Sequence, residues 1–421
     1  MLLNYNFENF KSYFNKTEFS MIANSDKEHD ENLIKYKKDR VSKVKVIYGP
    51  NASGKTSFID SINFLKTYAN ISNNLIESNP IMIKSFKFLE DYQLKPSTFS
   101  CTFVKNDIKY AYSFAVNAKE VIDEKLDIYY SSKPTNVFTR TKTTNYKFTS
   151  DVRILNEIKT KTTKNKLFLL SAATWNYDKV KPVVDYILND VVVLYGVDQP
   201  TSYNLDFIIH NNDMDDYKKF CLAFLNNADL SIDDFNIETK KLGIDAKQFN
   251  SFSKLIELIN PRENNIDGLK ENNMFNVKTI HKIKHDNNYK DYIFDLVEES
   301  IGTQEMFCLA PVLYYVFKEG KTLFIDGIDK SLHPILVKYI IGLFFNKDVN
   351  KKNAQLICNT NDTNLLDLDF LRRDEILFTD RDNKTGISEL YTLSEFSPRK
   401  NENIEKAYML GRFGAIPCVK E

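Results

Sequence analysis

The chain has 421 residues, and a hydrophobic content of 43% is enough for a sizeable buried core, which this length divides among two or three sub-structures. Lys plus Arg and Asp plus Glu both number 57, so the net charge is zero; that argues against a broad basic nucleic-acid surface and leaves room for a local patch only. The five cysteines (Cys101, Cys221, Cys308, Cys358 and Cys418) contain no C-x-x-C pair and read as reduced thiols rather than zinc ligands or disulfides.

Met1 to Phe7 lacks the basic region and long apolar run of a signal peptide, and no stretch has the apolar length of a membrane span. A cytoplasmic protein without a membrane partner is expected. Leu3, Tyr5 and Phe7, then Phe10 and Phe14, then Phe19 and Met21 predict two strands turning near Asn9-Phe10-Lys11-Ser12. The polar segment Asn24 to Arg40 reads as loop or short helix.

Val44, Val46 and Tyr48 alternate like a strand and lead into Gly49-Pro50-Asn51-Ala52-Ser53-Gly54-Lys55-Thr56. This is G-x-x-x-x-G-K-T, the phosphate-binding P-loop. The glycines let backbone N–H groups turn inward around phosphate, Lys55 reaches the β/γ-phosphates, and the Thr56 hydroxyl sits on Mg²⁺. Phe58, Ile59, Ile62 and Leu65 follow at helical spacing, so strand, loop and helix supply the context the motif needs. Asn51, Ala52, Ser53, Gly54, Lys55, Thr56 and Ser57 are the residues expected to hold ATP with Mg.

Ser97 to Val104 and Ile108 to Val116 predict a hairpin around Lys105-Asn106-Asp107. Leu126 to Tyr130, and Val137 to Arg140 after the turn Lys133-Pro134-Thr135-Asn136, are further strands of an antiparallel sheet. Residues 151–300 read as mostly helical and polar, with helices at Val183 to Leu188, Tyr217 to Leu225 and Phe252 to Ile259. Joints such as Asn211-Asn212-Asp213 separate them, and no repeat or long heptad run is present. Residues 275–398 return to strand–helix alternation: Lys321 to Asp326, a helix Pro334 to Phe345, Ala354 to Thr360 and Glu375 to Thr379.

Thr322 to Asp326 reads as a Walker B strand whose terminal Asp326 holds Mg²⁺, and Ser331-Leu332-His333-Pro334 lies just beyond. Ser300-Ile301-Gly302-Thr303 precedes a helix, Met306 to Phe317, and resembles the S-x-G signature of ABC-type ATPases. A Ser, a Gly and a helix N-terminus make a second anion-binding surface; the simpler reading is an N-cap.

These segments, with Asn9 to Ser12, Asn359-Thr360-Asn361-Asp362-Thr363, Ser388 to Tyr391, Pro398 to Lys400 and Gly411 to Pro417, resemble the AAA-type, SMC/ABC-like ATP-binding proteins of bacterial abortive-infection and phage-defence systems. The resemblance implies an α/β fold: an ABC/SMC-like P-loop ATPase head, made of a mixed sheet with an antiparallel β subdomain, plus a mostly helical insertion. The N-terminal half of the head is expected at 1–150, the insertion at 151–275 and the C-terminal half at 276–421. It also implies that Ser300, Gly302 and Thr303 cap the ATP of a second copy in a homodimer or higher oligomer, with an effector nuclease or toxin as partner.

The chain departs from that family twice. Gly327 stands where the family carries Glu after the Walker B Asp, and Asn361 stands where it carries the switch His. Asn361 and Asp362 are what remains as catalytic candidates, and Asp329 or Asp362 are alternative acids. The leading expectation is therefore an ATP-binding switch with weakened hydrolysis. The alternatives are a fully active ATPase using another base, or a DNA-repair-like ATPase with nucleic acid as a partner. No nuclease signature is visible.

Overall fold

The computed structural model describes residues 1–89, 95–196, 213–241, 273–286 and 288–417. In chain order the strands are β1 (Leu2–Glu8), β2 (Thr17–Ser20), β3 (Ile34–Tyr36), β4 (Asp39–Val41), β5 (Val44–Tyr48), β6 (Ser97–Lys105), β7 (Ile108–Val116), β8 (Val121–Tyr129) and β9 (Thr135–Thr141). They continue as β10 (Asn145–Phe148), β11 (Val191–Leu194), β12 (Asp234–Lys241), β13 (Asn273–His285), β14 (Asn288–Asp295), β15 (Thr322–Ile325), β16 (Gln355–Asn359), β17 (Ile376–Arg381) and β18 (Ser388–Thr392). Two compact units form. One comprises Met1–Tyr195, Glu319–Asp329 and Ile340–Glu421, the other Gly196–Lys318 and Lys330–Tyr339.

The first unit is mixed α/β, with a six-stranded sheet in the order β11-β15-β16-β5-β17-β18 and a seven-stranded antiparallel sheet in the order β10-β9-β8-β7-β6-β1-β2. In the six-stranded sheet all strands but β18 run parallel, so their C-terminal ends share one edge. Every residue of β5, β15 and β16 is buried, as parallel strands covered on both faces require. The helix Lys55–Ser72 buries Phe58, Ile59, Ile62, Leu65 and Tyr68 in one hydrophobic cluster. That cluster also holds Tyr5, Phe7 and Phe114 from the antiparallel sheet and Phe324, Ile357 and Leu377 from the parallel one. Phe58 packs edge-on against Tyr5 and Phe7, which fixes the helix behind the loop it follows.

The hairpin of β6 and β7 turns through Asn106 and Asp107, both at positive φ, a two-residue turn that matches the twist of its strands. The segment Asn24 to Arg40 contains a one-turn 3₁₀ helix at Asp30–Asn32 and the small β3–β4 hairpin, so it is more ordered than its polarity suggests. β10 was not foreseen.

The block 151–300 holds helices at Val152–Thr160, Phe168–Thr174, Lys181–Asp185 and Met214–Asn227, and also strands. β11 is an outer strand of the P-loop sheet, while β12, β13 and β14 form an antiparallel sheet in the second unit. The helix expected at Phe252 to Ile259 and the joint residues Asn211 and Asn212 lie outside the described residues. In the second unit, Phe235 of β12 packs edge-on against Tyr217 and against Phe307 of the helix Ile301–Glu319. The helix Pro334–Phe345 stands where the sequence places it. Among the described residues no helix is long and apolar enough to cross a membrane.

Candidate functional site

β5 delivers the chain into the loop Gly49 to Gly54, and the helix Lys55–Ser72 leaves it. Gly49 has φ +152, and a Cβ there would lie 2.3 Å from the Thr379 carbonyl oxygen. Gly54 has φ +121, and a Cβ there would meet Ser388 Oγ at 2.8 Å. Both positions therefore need glycine, for close approach as well as for torsion. Gly54 is the N-cap and offers no side chain, so the first N–H groups of the helix are left for an anion.

Lys55 Nζ donates to the Gly49 carbonyl and, at 3.0 Å, to the Pro50 carbonyl, so the lysine arches over the loop. Burial pulls its pKa below the usual lysine value, and the negative charges of Asp329 and Asp326 oppose that shift. Thr56 Oγ1 lies 2.9 and 3.1 Å from the two Asp326 oxygens. A hydroxyl and a carboxylate at this separation are hard oxygen donors of the kind Mg²⁺ takes, with the phosphates completing its shell. Among the described residues no group of three or more His, Cys, Asp and Glu could hold a metal ion by itself. The arrangement fits an ion that arrives with a nucleotide. Thr56 and Asp326 would hold it, and it would supply charge neutralisation at the β/γ-phosphates.

Asp326 is itself held. Its N–H donates to Leu194 O at 2.9 Å, so β11 is part of the site's frame. Asn359 Nδ2 donates to Asp326 Oδ1 at 2.6 Å, and Asn359 Oδ1 accepts the Gly327 N–H, also at 2.6 Å. Asn359 lies in the segment Asn359 to Thr363, and the sequence alone assigns it no role. Its amide fixes the carboxylate's orientation from the end of the neighbouring strand.

Residues 44–367 match a family profile described as "AAA domain, putative AbiEii toxin, Type IV TA system". The chain belongs to this AAA family. The match runs from β5 past the switch segment and covers well over half of the chain. No curated protein matches it. Among solved structures, an Smc head bound to the C-terminal winged-helix domain of ScpA aligns over 93% of this chain and 97% of that one, at 12% identity and TM-score 0.42. A second, an Smc head domain with an extended coiled coil bound to the C-terminal domain of ScpA from Pyrococcus furiosus, aligns over 98% of each chain at 14% identity and TM-score 0.39. The recombination mediator RecF with ATP aligns over 93% of this chain and 97% of that one, at 13% identity and TM-score 0.36.

The remaining P-loop residues of this AAA protein divide by environment. Asn51 and Ala52 are exposed at the loop's crest, and Ala52 adopts φ 65. Ser53 is turned inward, its hydroxyl bonded to Thr379 Oγ1, so its side chain braces the loop against β17. Ser57 is half-buried at the start of the helix. Tyr13 donates to the Gly54 carbonyl at 3.3 Å, and Lys11 pairs with Asp60 on the P-loop helix, whose other oxygen accepts from Tyr195 at 2.7 Å. The turn after β1 thus braces the loop from the antiparallel sheet.

Gly327 has φ +76, the left-handed region. It is a turn residue as well as a missing carboxylate. Ile328 N–H donates to Asn359 O at 3.1 Å, and Asn361 N–H donates to Asp329 Oδ2 at 3.0 Å. Asp362 Oδ1 caps the following turn by accepting from Asn364 N at 3.0 Å.

Ser300, Gly302 and Thr303 belong to the second unit. Ser300 Oγ accepts the Thr303 N–H at 3.2 Å and lies 2.8 Å from Thr303 Oγ1, so the serine caps the helix Ile301–Glu319. Gly302 is open: a Cβ there would have only Ser331 O within 4 Å, at 3.8 Å.

Proposed function

We propose that this AAA protein is an ATP-binding switch of the ABC/SMC-like class in a bacterial anti-phage, abortive-infection system. Mg-ATP sits on Lys55, Thr56 and Asp326 of one copy and is capped by Ser300, Gly302 and Thr303 of a second. The nucleotide-bound assembly holds or releases an effector nuclease or toxin. The observation that carries this reading is the Thr56–Asp326–Asn359 constellation. Thr56, Asp326 and Asn359 are hydrogen-bonded in series, while residue 327 has no side chain. The toxin named in the family description supports the defence setting.

Assembly through the signature is supported by its surroundings. Val297 and Ile301 flank Ser300 in sequence at 80% and 68% exposure, and Ile335 of the same unit is 70% exposed. Exposed apolar side chains next to the signature are compatible with a surface covered on assembly. Without a carboxylate at position 327, turnover runs below that of a site that carries one there.

Ser300→Arg tests the reading. Light scattering should show Mg-ATP driving the wild type into a larger species. The arginine variant should stay small while its ATP affinity remains within about threefold, a change of well under 1 kcal/mol. A particle size indifferent to both nucleotide and substitution would remove the composite site.

A further inference from the structure

The two departures from the family pattern meet at one side chain. The turn Asp326 to Asp329 follows β15 and is laid against the end of β16 by three hydrogen bonds. Gly327 N–H donates to Asn359 Oδ1, Ile328 N–H to Asn359 O, and Asn361 N–H to Asp329 Oδ2. The first glues the turn where the family's Glu is missing, and the last uses the backbone of the residue that replaces the switch His. Together they present the Asp329 carboxylate at the edge of the sheet that also carries Lys55 and Asp326. Among the described residues only Asp329 Oδ2 is engaged, and the side chain is half-buried, so Oδ1 remains to accept a proton.

We infer that Asp329 is the carboxylate that acts on the attacking water in this protein's residual ATP hydrolysis, displaced two residues along the turn from the position that Gly327 vacates. The inference rests on the reading that Lys55 and Thr56 bind Mg-ATP. In the step, the water oxygen forms a bond to the γ-phosphorus as the bond to the bridging oxygen breaks. The electron pair leaves on ADP. The water's proton passes to Asp329 and from there to the released phosphate, so atoms and charge balance without a further reactant. The negative charges of Asp329 and Asp326 both act on Lys55, so Asp329 lies within electrostatic reach of the lysine. Asp362 is absent from that set; its Oδ1 caps Asn364, and its Oδ2 is buried without a hydrogen-bond partner among the described residues.

Asp329→Asn keeps an oxygen that can accept the Asn361 N–H, so the turn survives while the proton acceptor is lost. Phosphate release at saturating Mg-ATP should fall about 10²-fold, the low end of the loss of a positioned base. Mg-ATP affinity by calorimetry should stay equal or tighten, because an anion near Lys55 has been neutralised. Asp329→Glu should recover part of the rate. An Asp329→Asn protein that binds and turns over like wild type overturns the inference. So does one that loses binding together with turnover, since the residue would then be structural, and so does a wild type that binds Mg-ATP but never hydrolyses it. A wild type whose Mg-ATP affinity equals that of Lys55→Ala fails at the earlier step and takes the binding reading down with it.

Discussion

Lys55→Ala should abolish Mg-ATP binding at micromolar nucleotide. The Lys55 ammonium donates to the Gly49 and Pro50 carbonyls, directly over the loop that would hold phosphate. Truncating one partner of a desolvated, hydrogen-bonded charge pair costs ~2–5 kcal/mol, and each 1.4 kcal/mol is about tenfold in affinity. The substitution should therefore weaken binding by a factor between about thirty and several thousand. The fold should tolerate it, because the two hydrogen bonds lost are to loop carbonyls at a half-buried position. Titration calorimetry of the two proteins decides the matter: equal affinities would mean that the loop is not the nucleotide site.

Much of the nucleotide-binding unit is visible in the sequence because its signals are local. The run Val44 to Tyr48, the glycine spacing and the helical spacing of Phe58, Ile59, Ile62 and Leu65 lie within about twenty residues of one another, and the structure reproduces them. The same holds for the β6–β7 hairpin and the helix Pro334–Phe345. What escapes is what depends on distant partners. β11 is a four-residue run, Val191 to Leu194, too short to declare itself beside helical segments, yet it pairs with β15 and holds Asp326 through Leu194 O. β12 finds its partner only in β13, across more than thirty intervening residues. Asn359 reads as a polar strand end until β15 and β16 pair and bring its amide to Asp326 and Gly327.

Gly327 is the sharpest case. In the sequence it is an absent carboxylate, and restoring Glu looks like repair. At φ +76 a side chain costs ~1–2 kcal/mol, and the turn that sets this torsion also positions Asp329. A Glu returned to this position would strain the turn by that amount. This is why the structure points to a neighbouring acid rather than to the vacated position.

Stability of the nucleotide-binding unit should fall as pH rises from 4.5 to about 7, and Glu375→Gln should remove that fall. Lys45 is fully buried in the middle of β5, and its ammonium donates to the Asp374 carbonyl. Arg372 Nε donates to Asp374 Oδ1 at 2.9 Å, and Arg372 N–H to Glu375 Oε2 at 3.0 Å. Glu375 Oε1 is buried without a hydrogen-bond partner among the described residues. Burial pushes the Glu375 carboxyl up to about 7; the Arg372 N–H and the Lys45 charge offset only part of that. The folded state therefore holds a proton that the unfolded chain has already released, and the stabilisation is full below pH 4.5 and lost as pH climbs through about 7. The loss is worth about 3 kcal/mol at 1.36 kcal/mol per pKa unit.

Two neighbours in the cluster shift in the opposite sense. Burial pushes the Asp374 carboxyl up, but Lys45 and Arg372 outweigh it and hold the group below 3.8, so its contribution disappears only in stronger acid. Burial lowers Lys45 from 10.5 against the pull of Asp374 and Glu375, a shift opposite in sign to that of Glu375 because here the unfolded chain binds the extra proton. Glutamine keeps an acceptor for the Arg372 N–H and carries no titrating proton. Urea midpoints at pH 5, 6, 7 and 8 should decline for the wild type and stay level for Glu375→Gln, with the two proteins nearly equal at pH 5 and furthest apart at pH 8. Parallel curves across that range would show that Glu375 is ionised throughout and that Lys45 and Arg372 compensate its charge in full.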